Sequence, residues 1–195
     1  MKPVYESIEW DNTWIQSTEN LTATRILYIG DSISVGTRGA VNPMGGGEIV
    51  FDNYGSSKAL DHPYFFESVE LFAKGQPKRD AILFNNGLHG WHLTDGEYEA
   101  LYAAMLDRLT RAFPGTPLLL LLSTFTTSPG SPVEIVRARN AIVERLAGER
   151  GLPVVDLYAV AEPWESTSYK DYCHFVPEAY ELLAEAVSET LREHL

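Results

Sequence analysis

The sequence predicts an α/β fold built on a parallel β-sheet. Three observations carry that expectation. Short apolar runs recur at Ile26–Ile29, Ala81–Phe84, Leu118–Leu122 and Leu152–Leu157, each bounded by turn residues, as buried strands are. Between them lie stretches whose apolar residues return at helical spacing, and strands that alternate with helices pair in parallel. The run Leu118–Leu122 has no polar alternation, which suits a central strand covered on both faces.

At 195 residues the chain fits one domain with room for a sizeable core, and 45% hydrophobic with 22% charged residues is ordinary for a globular protein. The formal net charge is −12. Nucleic-acid binders and proteins that adsorb to acidic membranes carry basic patches, so neither partner is expected. No run of about 18 apolar residues occurs, so no membrane span is expected. The first 20 residues hold Glu6, Glu9, Asp11 and Glu19 with no apolar centre, so no signal peptide is read there. The single cysteine, Cys173, forms no internal disulfide, and a cytoplasmic setting follows as the expectation. The Gly45-Gly46-Gly47 triplet lacks the Lys and Ser/Thr of a phosphate loop, no Gly-x-Gly-x-x-Gly follows a strand, and no zinc-type Cys/His spacing exists. Neither cofactor nor metal is expected.

Residues 1–24 read as a polar extension packed on the body through Tyr5, Trp10 and Trp14, followed by one domain over residues 25–195. The first strand is expected at Arg25–Ile29. After Ser32, Val35, Gly36 and Thr37 lead into a broken segment that ends at the glycine triplet, and Glu48–Asp52 is the second strand. From Asp61 to Lys74, Phe65, Val69 and Phe72 stand at helical spacing, with His62 at the surface or in a cap. Ala81–Phe84 is the third strand. The stretch Glu97–Phe113 puts Tyr98, Leu101, Tyr102, Met105, Leu109 and Ala112 on one helix face. Leu118–Leu122 is the fourth strand. Ser131, Pro132 and Glu134 read as a helix start with a capping box, after which Ile135, Ala138, Ile142 and Leu146 face inward. Leu152–Leu157 is the fifth strand, and Pro177–Arg192 the last helix, burying Tyr180, Leu183, Val187 and Leu191.

The first strand stops on Gly30-Asp31-Ser32. Ligands of open α/β sheets bind just beyond the carboxyl ends of such strands, so Ser32 belongs at the rim where a site is expected. A serine hydroxyl becomes a nucleophile when a base takes its proton and an acid orients that base. His174, with Asp171 three residues before it, supplies both. Asp31 reads as a structural acid that bonds to loop backbone. Position 34 is serine, so this is not the Gly-x-Ser-x-Gly elbow of α/β-hydrolases. The connector Asn85–His92 carries two histidines, two amides and Trp91, which is rich for a plain turn.

These residues together resemble the SGNH, or GDSL-type, hydrolase superfamily. Gly30-Asp31-Ser32 matches its first block, Asn53-Tyr54-Gly55 its second, and Asp171 to His174 its last. The third block, Gly-x-Asn, is met at Gly87, but His89 stands where the family has asparagine. The resemblance spans nearly the whole chain. It implies a flavodoxin-like three-layer α/β/α sandwich with a five-stranded parallel sheet in the order 2-1-3-4-5. It implies Ser32 as nucleophile, His174 as base and Asp171 as its orienting acid. The oxyanion hole would be made by the backbone N–H groups of Ser32 and Gly55 and the side chain of His89, with Asn86 as runner-up.

The function expected is a serine esterase that removes small O-acyl groups, preferably acetyl, from a carbohydrate or similar polar alcohol. Trp91 and His92 would stack on and bond to the sugar ring. No long apolar flap is visible, which argues against a triglyceride lipase. Two alternatives stay open: an acyltransferase using the same acyl-enzyme, and a non-catalytic binding module of flavodoxin-like architecture. The expected partner is a small-molecule ester, and the sequence leaves the oligomeric state open.

Overall fold

The computed structural model describes residues 4–75, 78–127 and 133–195. In chain order the elements are β1 (Asp11–Trp14), β2 (Thr24–Gly30), α1 (Ser32–Met44), β3 (Ile49–Ser56), α2 (Phe65–Ala73), β4 (Ala81–Phe84), α3 (Asp95–Ala112), β5 (Leu118–Leu121), α4 (Val133–Arg150), β6 (Val154–Val155), α5 (Leu157–Ala161) and α6 (Pro177–Arg192). The parallel strands lie in the order β3-β2-β4-β5-β6, the 2-1-3-4-5 arrangement expected.

The sheet nevertheless has six strands, not five. β1 adds antiparallel to the outer edge of β3, with Asp11 opposite Ser56 and Trp14 opposite Asn53. Asp-Asn-Thr-Trp has no apolar alternation to announce a strand. Its conformation comes from the unpaired edge of β3, whose N–H and C=O groups it satisfies. The extension therefore enters the fold as a sheet strand. A buried ion pair secures the end of it: Arg25 bonds Asp52 at 2.8 Å and also donates to the carbonyls of Gln16 and Ser17. Tyr5 and Trp14 are not the buried anchors expected, being 53% and 50% exposed. Trp14 instead lies under the Arg38 guanidinium.

Two apolar layers sandwich the sheet, and the period-2 alternation of β2 assigns its side chains to them. Leu27 and Ile29 join a core with α2, α3 and α4; Ile26 and Tyr28 join the other, with α1, α5 and α6. Each of these side chains contributes about 1.5–3 kcal/mol by leaving water.

Helix α1 falls where a broken segment was expected. Gly36, Gly39 and Pro43 argue against a helix locally, but Ile33, Thr37 and Val41 recur every four residues and are buried. Gly36 is also a packing requirement, because a Cβ there would overlap the Tyr180 ring of α6. The second strand runs on to Ser56 since its polar residues find partners: the Asn53 amide donates to Tyr28 O at 3.0 Å, and Ser56 Oγ to Asp11 at 2.7 Å. The fifth strand shrinks to two residues, because Asp156 caps α5 by accepting from the Ala159 N–H. Ser131 and Pro132 lie outside the described residues. The inward face of α4 is Val136, Arg139, Asn140, Val143, Leu146 and Ala147, one position on from the Ile135, Ala138 and Ile142 stripe expected. That face carries an arginine, which hydrophobic periodicity alone would never place inside.

Candidate active site

The turn from β2 into α1 is built by short-range bonds. Asp31 is the N-cap of α1, its Oδ1 accepting from the Ile33 N–H at 2.9 Å. Ser34 Oγ donates to Asp31 O at 2.7 Å, and the Asn53 amide reaches Ser34 Oγ at 3.0 Å. Asp31 is thus the structural acid expected. Ser32 becomes the first residue of the helix, where the unpaired N–H groups and the helix dipole favour negative charge.

Across the rim, between Tyr169 and α6, stands the Asp171–His174 turn. Asp171 Oδ1 accepts from the N–H groups of Cys173 (3.0 Å) and His174 (2.9 Å), and its Oδ2 meets His174 Nδ1 at 2.7 Å. The other ring nitrogen, Nε2, lies 2.8 Å from Ser32 Oγ, although 142 residues separate the two. Burial raises the Asp171 pKa, but the two backbone bonds and the imidazole outweigh it and hold the carboxyl at about 2. It is therefore a carboxylate throughout the neutral range. Burial first, then the charges of Asp171 and Asp31, pushes the Cys173 thiol up to about 12, which leaves it protonated and a filler beside the histidine. Asp171, Cys173 and His174 bring possible metal-ligand atoms within 4.8 Å of one another. Asp171 Oδ2 and His174 Nδ1 are already bonded to each other there, so a metal ion would have to break that pair.

Ser32 and His174 open into a cavity of about 690 Å³ whose far wall is the loop Leu88–His92 and whose roof is residues 4–10 of the extension. Three imidazoles reach this space, each with its own acid. His89 Nδ1 meets Glu6 Oε1 at 2.7 Å, and His92 Nε2 meets Asp61 Oδ2 at 2.9 Å. The edge of Trp10 packs against the His89 ring, with centroids 6.2 Å apart. Tyr5 and Trp10 of the extension both line the cavity. His62 stays outside, accepting from the Tyr64 N–H and flanked by Tyr5.

The loop is fixed from beneath by Arg139. Its guanidinium donates to the carbonyls of Gly87 (2.9 Å), His89 (2.7 Å) and Gly90 (2.7 Å), and lies over the rings of Trp91 and Tyr98. The residue is 1% exposed. Among the described residues no carboxylate hydrogen-bonds to it, so the carbonyl dipoles and the two π faces carry the charge.

The remaining candidates are placed differently. Asn86 is buried, its side-chain amide N–H donating to Lys58 O at 2.9 Å and its main-chain carbonyl accepting from the Tyr98 hydroxyl at 2.8 Å; it does not line the cavity. Gly55 lies beside Gly30 in the sheet, and a Cβ there would run into Val35 and the Asp31 carbonyl. Its N–H points elsewhere. Ser57 N donates to Trp10 O, and bonded pairs alternate along an antiparallel ladder, so Asn12–Gly55 is the next bonded pair and the Gly55 N–H faces β1. Sequence reasoning passed over Glu6, Asp61 and Arg139. Only the third had any signal, as a charge inside an amphipathic helix; the other two lie 83 and 31 residues from their histidines.

A serine at the end of β2 thus faces an Asp-x-x-His before the last helix, on a sheet in this order. No family model and no curated protein matches the sequence. Solved structures do match. An aryl esterase of M. smegmatis superposes with a TM-score of 0.72 over 89% of this chain and 100% of that one, at 15% identity. A member of the lipolytic G-D-S-L family from Veillonella parvula gives 0.70 over 86% and 97%, at 21% identity. An acetyl xylan esterase gives 0.65 over 86% and 99%, at 14% identity. The chain has the SGNH hydrolase fold over nearly its whole length.

Proposed function

We propose that the protein is a serine ester hydrolase acting on small O-acyl groups through Ser32, His174 and Asp171. The observation that carries this is the unbroken chain of contacts from Ser32 Oγ through the imidazole to Asp171, 2.8 Å and then 2.7 Å. A non-catalytic binding module has no use for that alignment. Ser32 Oγ attacks the ester carbonyl carbon while His174 Nε2 takes its proton. The tetrahedral intermediate collapses, and the leaving alcohol receives that proton from His174. Water then adds to the acyl-Ser32 ester by the same route, releasing the carboxylic acid and restoring the serine. Asp171 holds the ring with Nδ1 protonated and stabilises the imidazolium that forms.

For the oxyanion, the donors we assign are the Ser32 N–H at the head of α1 and the His89 side chain. Each such donor contributes about 3 kcal/mol of barrier reduction. Gly55 serves by its missing side chain, which admits β3 beneath the nucleophile turn, and Asn86 by holding the loop to Lys58.

Acetyl esters of a carbohydrate or similar polar alcohol remain the preferred substrates. His92 supports this: if Nε2 donates to Asp61, Nδ1 is left as an acceptor for a hydroxyl. Trp91 at the cavity wall supplies an aromatic face, and one structural neighbour acts on acetyl xylan. The single cysteine supports a cytoplasmic setting; among the described residues no helix is long and apolar enough to cross a membrane.

A fluorophosphonate probe tests the assignment. One adduct at Ser32, abolished in Ser32→Ala and in protein whose His174 is replaced by alanine, is the expected result. Labelling that persists in Ser32→Ala, or none in the intact protein, would overturn it.

A further inference from the structure

Residues 4–10 put an acid directly on the histidine assigned to the oxyanion. Glu6 Oε1 lies 2.7 Å from His89 Nδ1, and the His89 side chain is only 14% exposed. Among the described residues the other ring nitrogen, Nε2, has no hydrogen-bond partner, and the residue lines the same cavity as Ser32.

This pairing constrains what His89 can do. A neutral imidazole carries one N–H donor and one lone-pair acceptor. With Nδ1 against a carboxylate, the single proton sits on Nδ1, and Nε2 would turn a lone pair toward the oxyanion. That contact is repulsive. Only the imidazolium, with a proton on each nitrogen, can bind Glu6 and still donate to the developing charge. An asparagine at this position needs no such partner, since its amide donates in one protonation state only.

We propose that Glu6 is a positioning residue of the oxyanion site, holding His89 as an imidazolium so that its Nε2–H serves the transition state. The proposal rests on the reading of His89 as oxyanion donor given above. Charges from each packed element bear on it. Glu6 and Glu9 face His89 from the extension, and Asp31 from the head of α1. The cationic Arg139 lies on its backbone side, bonded to the His89 carbonyl, while His92 and His174 share the cavity. Burial alone would lower the His89 pKa; the Glu6 bond and the charges of Asp31, Glu6 and Glu9 outweigh it and raise the value above that of an ordinary histidine.

One pH limit follows. His89 must be charged, so activity falls as pH passes through its raised pKa. The sign for stability agrees: the pair contributes fully below the unfolded histidine value and is lost as pH rises through the folded one.

The test is the pH dependence of kcat on an activated acetate ester, for the intact protein and four full-length variants, with folding checked by circular dichroism. Glu6→Gln removes the charge and is expected to move the alkaline limb to lower pH. Glu6→Asp keeps the charge and should keep the limb closer to its original place. His89→Asn, whose donor has no proton to lose, should retain part of the activity and lose the alkaline limb. His89→Ala should lower kcat by about 100-fold with little change in KM. If His89→Ala is crippling but Glu6→Gln leaves the alkaline limb unmoved, the Glu6 role is wrong and the donor assignment stands. If His89→Ala is nearly silent, the donor assignment fails and takes the Glu6 role with it.

Discussion

The two walls of the cavity are made in different ways. On the triad wall, Asp171 reaches His174 within a single turn, three residues apart, and secures the turn with two backbone bonds. One long-range contact, to Ser32, completes it. On the opposite wall nothing is local. His89 is held by Glu6, His92 by Asp61, and their loop by Arg139, partners drawn from the extension, the segment before α2, and α4. The groups proposed to react are thus set largely by a short motif, whereas the wall proposed to meet the substrate is assembled from the whole fold. It follows that damage to the first wall should be absolute and damage to the second graded.

The largest expected effect lies on the triad wall. Ser32→Ala should reduce kcat/KM for an activated acetate ester by about 10⁴-fold or more, and His174→Ala should be nearly as inactive, because the residues act as a unit. Both should keep the intact protein's circular dichroism spectrum. Substantial activity in correctly folded Ser32→Ala would remove the distinction between the walls altogether.

Arg139→Met sharpens the contrast on the other side. It leaves the carbonyls of Gly87, His89 and Gly90 without their buried donor, at a cost of about 3 kcal/mol, which for a chain of this length lowers Tm by about 6–12 °C. We expect kcat to fall about tenfold as well, since the loop it holds carries His89, and Arg139→Lys to recover part of each loss. Loss of stability with kcat unchanged at a permissive temperature would make Arg139 a packing residue only.

The smallest effects concern what the cavity admits. Residues 4–10 over a cavity of about 690 Å³, and no metal required by the proposed reaction, predict a steep fall in kcat/KM from acetyl to octanoyl esters and less than twofold change with chelator. Rates that climb with chain length would mean that the extension does not bound the acyl site. A chelator loss restored by added metal would point to the Asp171, Cys173 and His174 group instead.

What could be read before folding is what depends on neighbours in sequence. The apolar runs Ile26–Ile29 and Ala81–Phe84 are legible as strands because they are short, continuously apolar and bounded by turn residues, as strands buried on both faces are, and Pro177–Arg192 has the expected bounds because its proline start and apolar stripe are local signals. The order of the parallel strands came from the family resemblance, since composition and periodicity do not rank strands across a sheet. Asp171 and His174 were legible for the same local reason, and Ser32 because a strand end on Gly-Asp-Ser places it at the rim.

Only the tertiary structure decided the rest. β1 is a strand because β3 had an open edge, not because Asp11–Trp14 prefers to be one. Helix α1 forms through two glycines and a proline because burial of Ile33, Thr37 and Val41 outweighs their propensities. Arg139 is buried because three carbonyls and two aromatic faces converge on it, a coincidence no window of sequence contains. The same holds for Glu6 on His89 and Asp61 on His92. A local motif names the groups proposed to react, while the protonation and aim of the groups around them depend on charges and dipoles brought near only when the chain closes on itself.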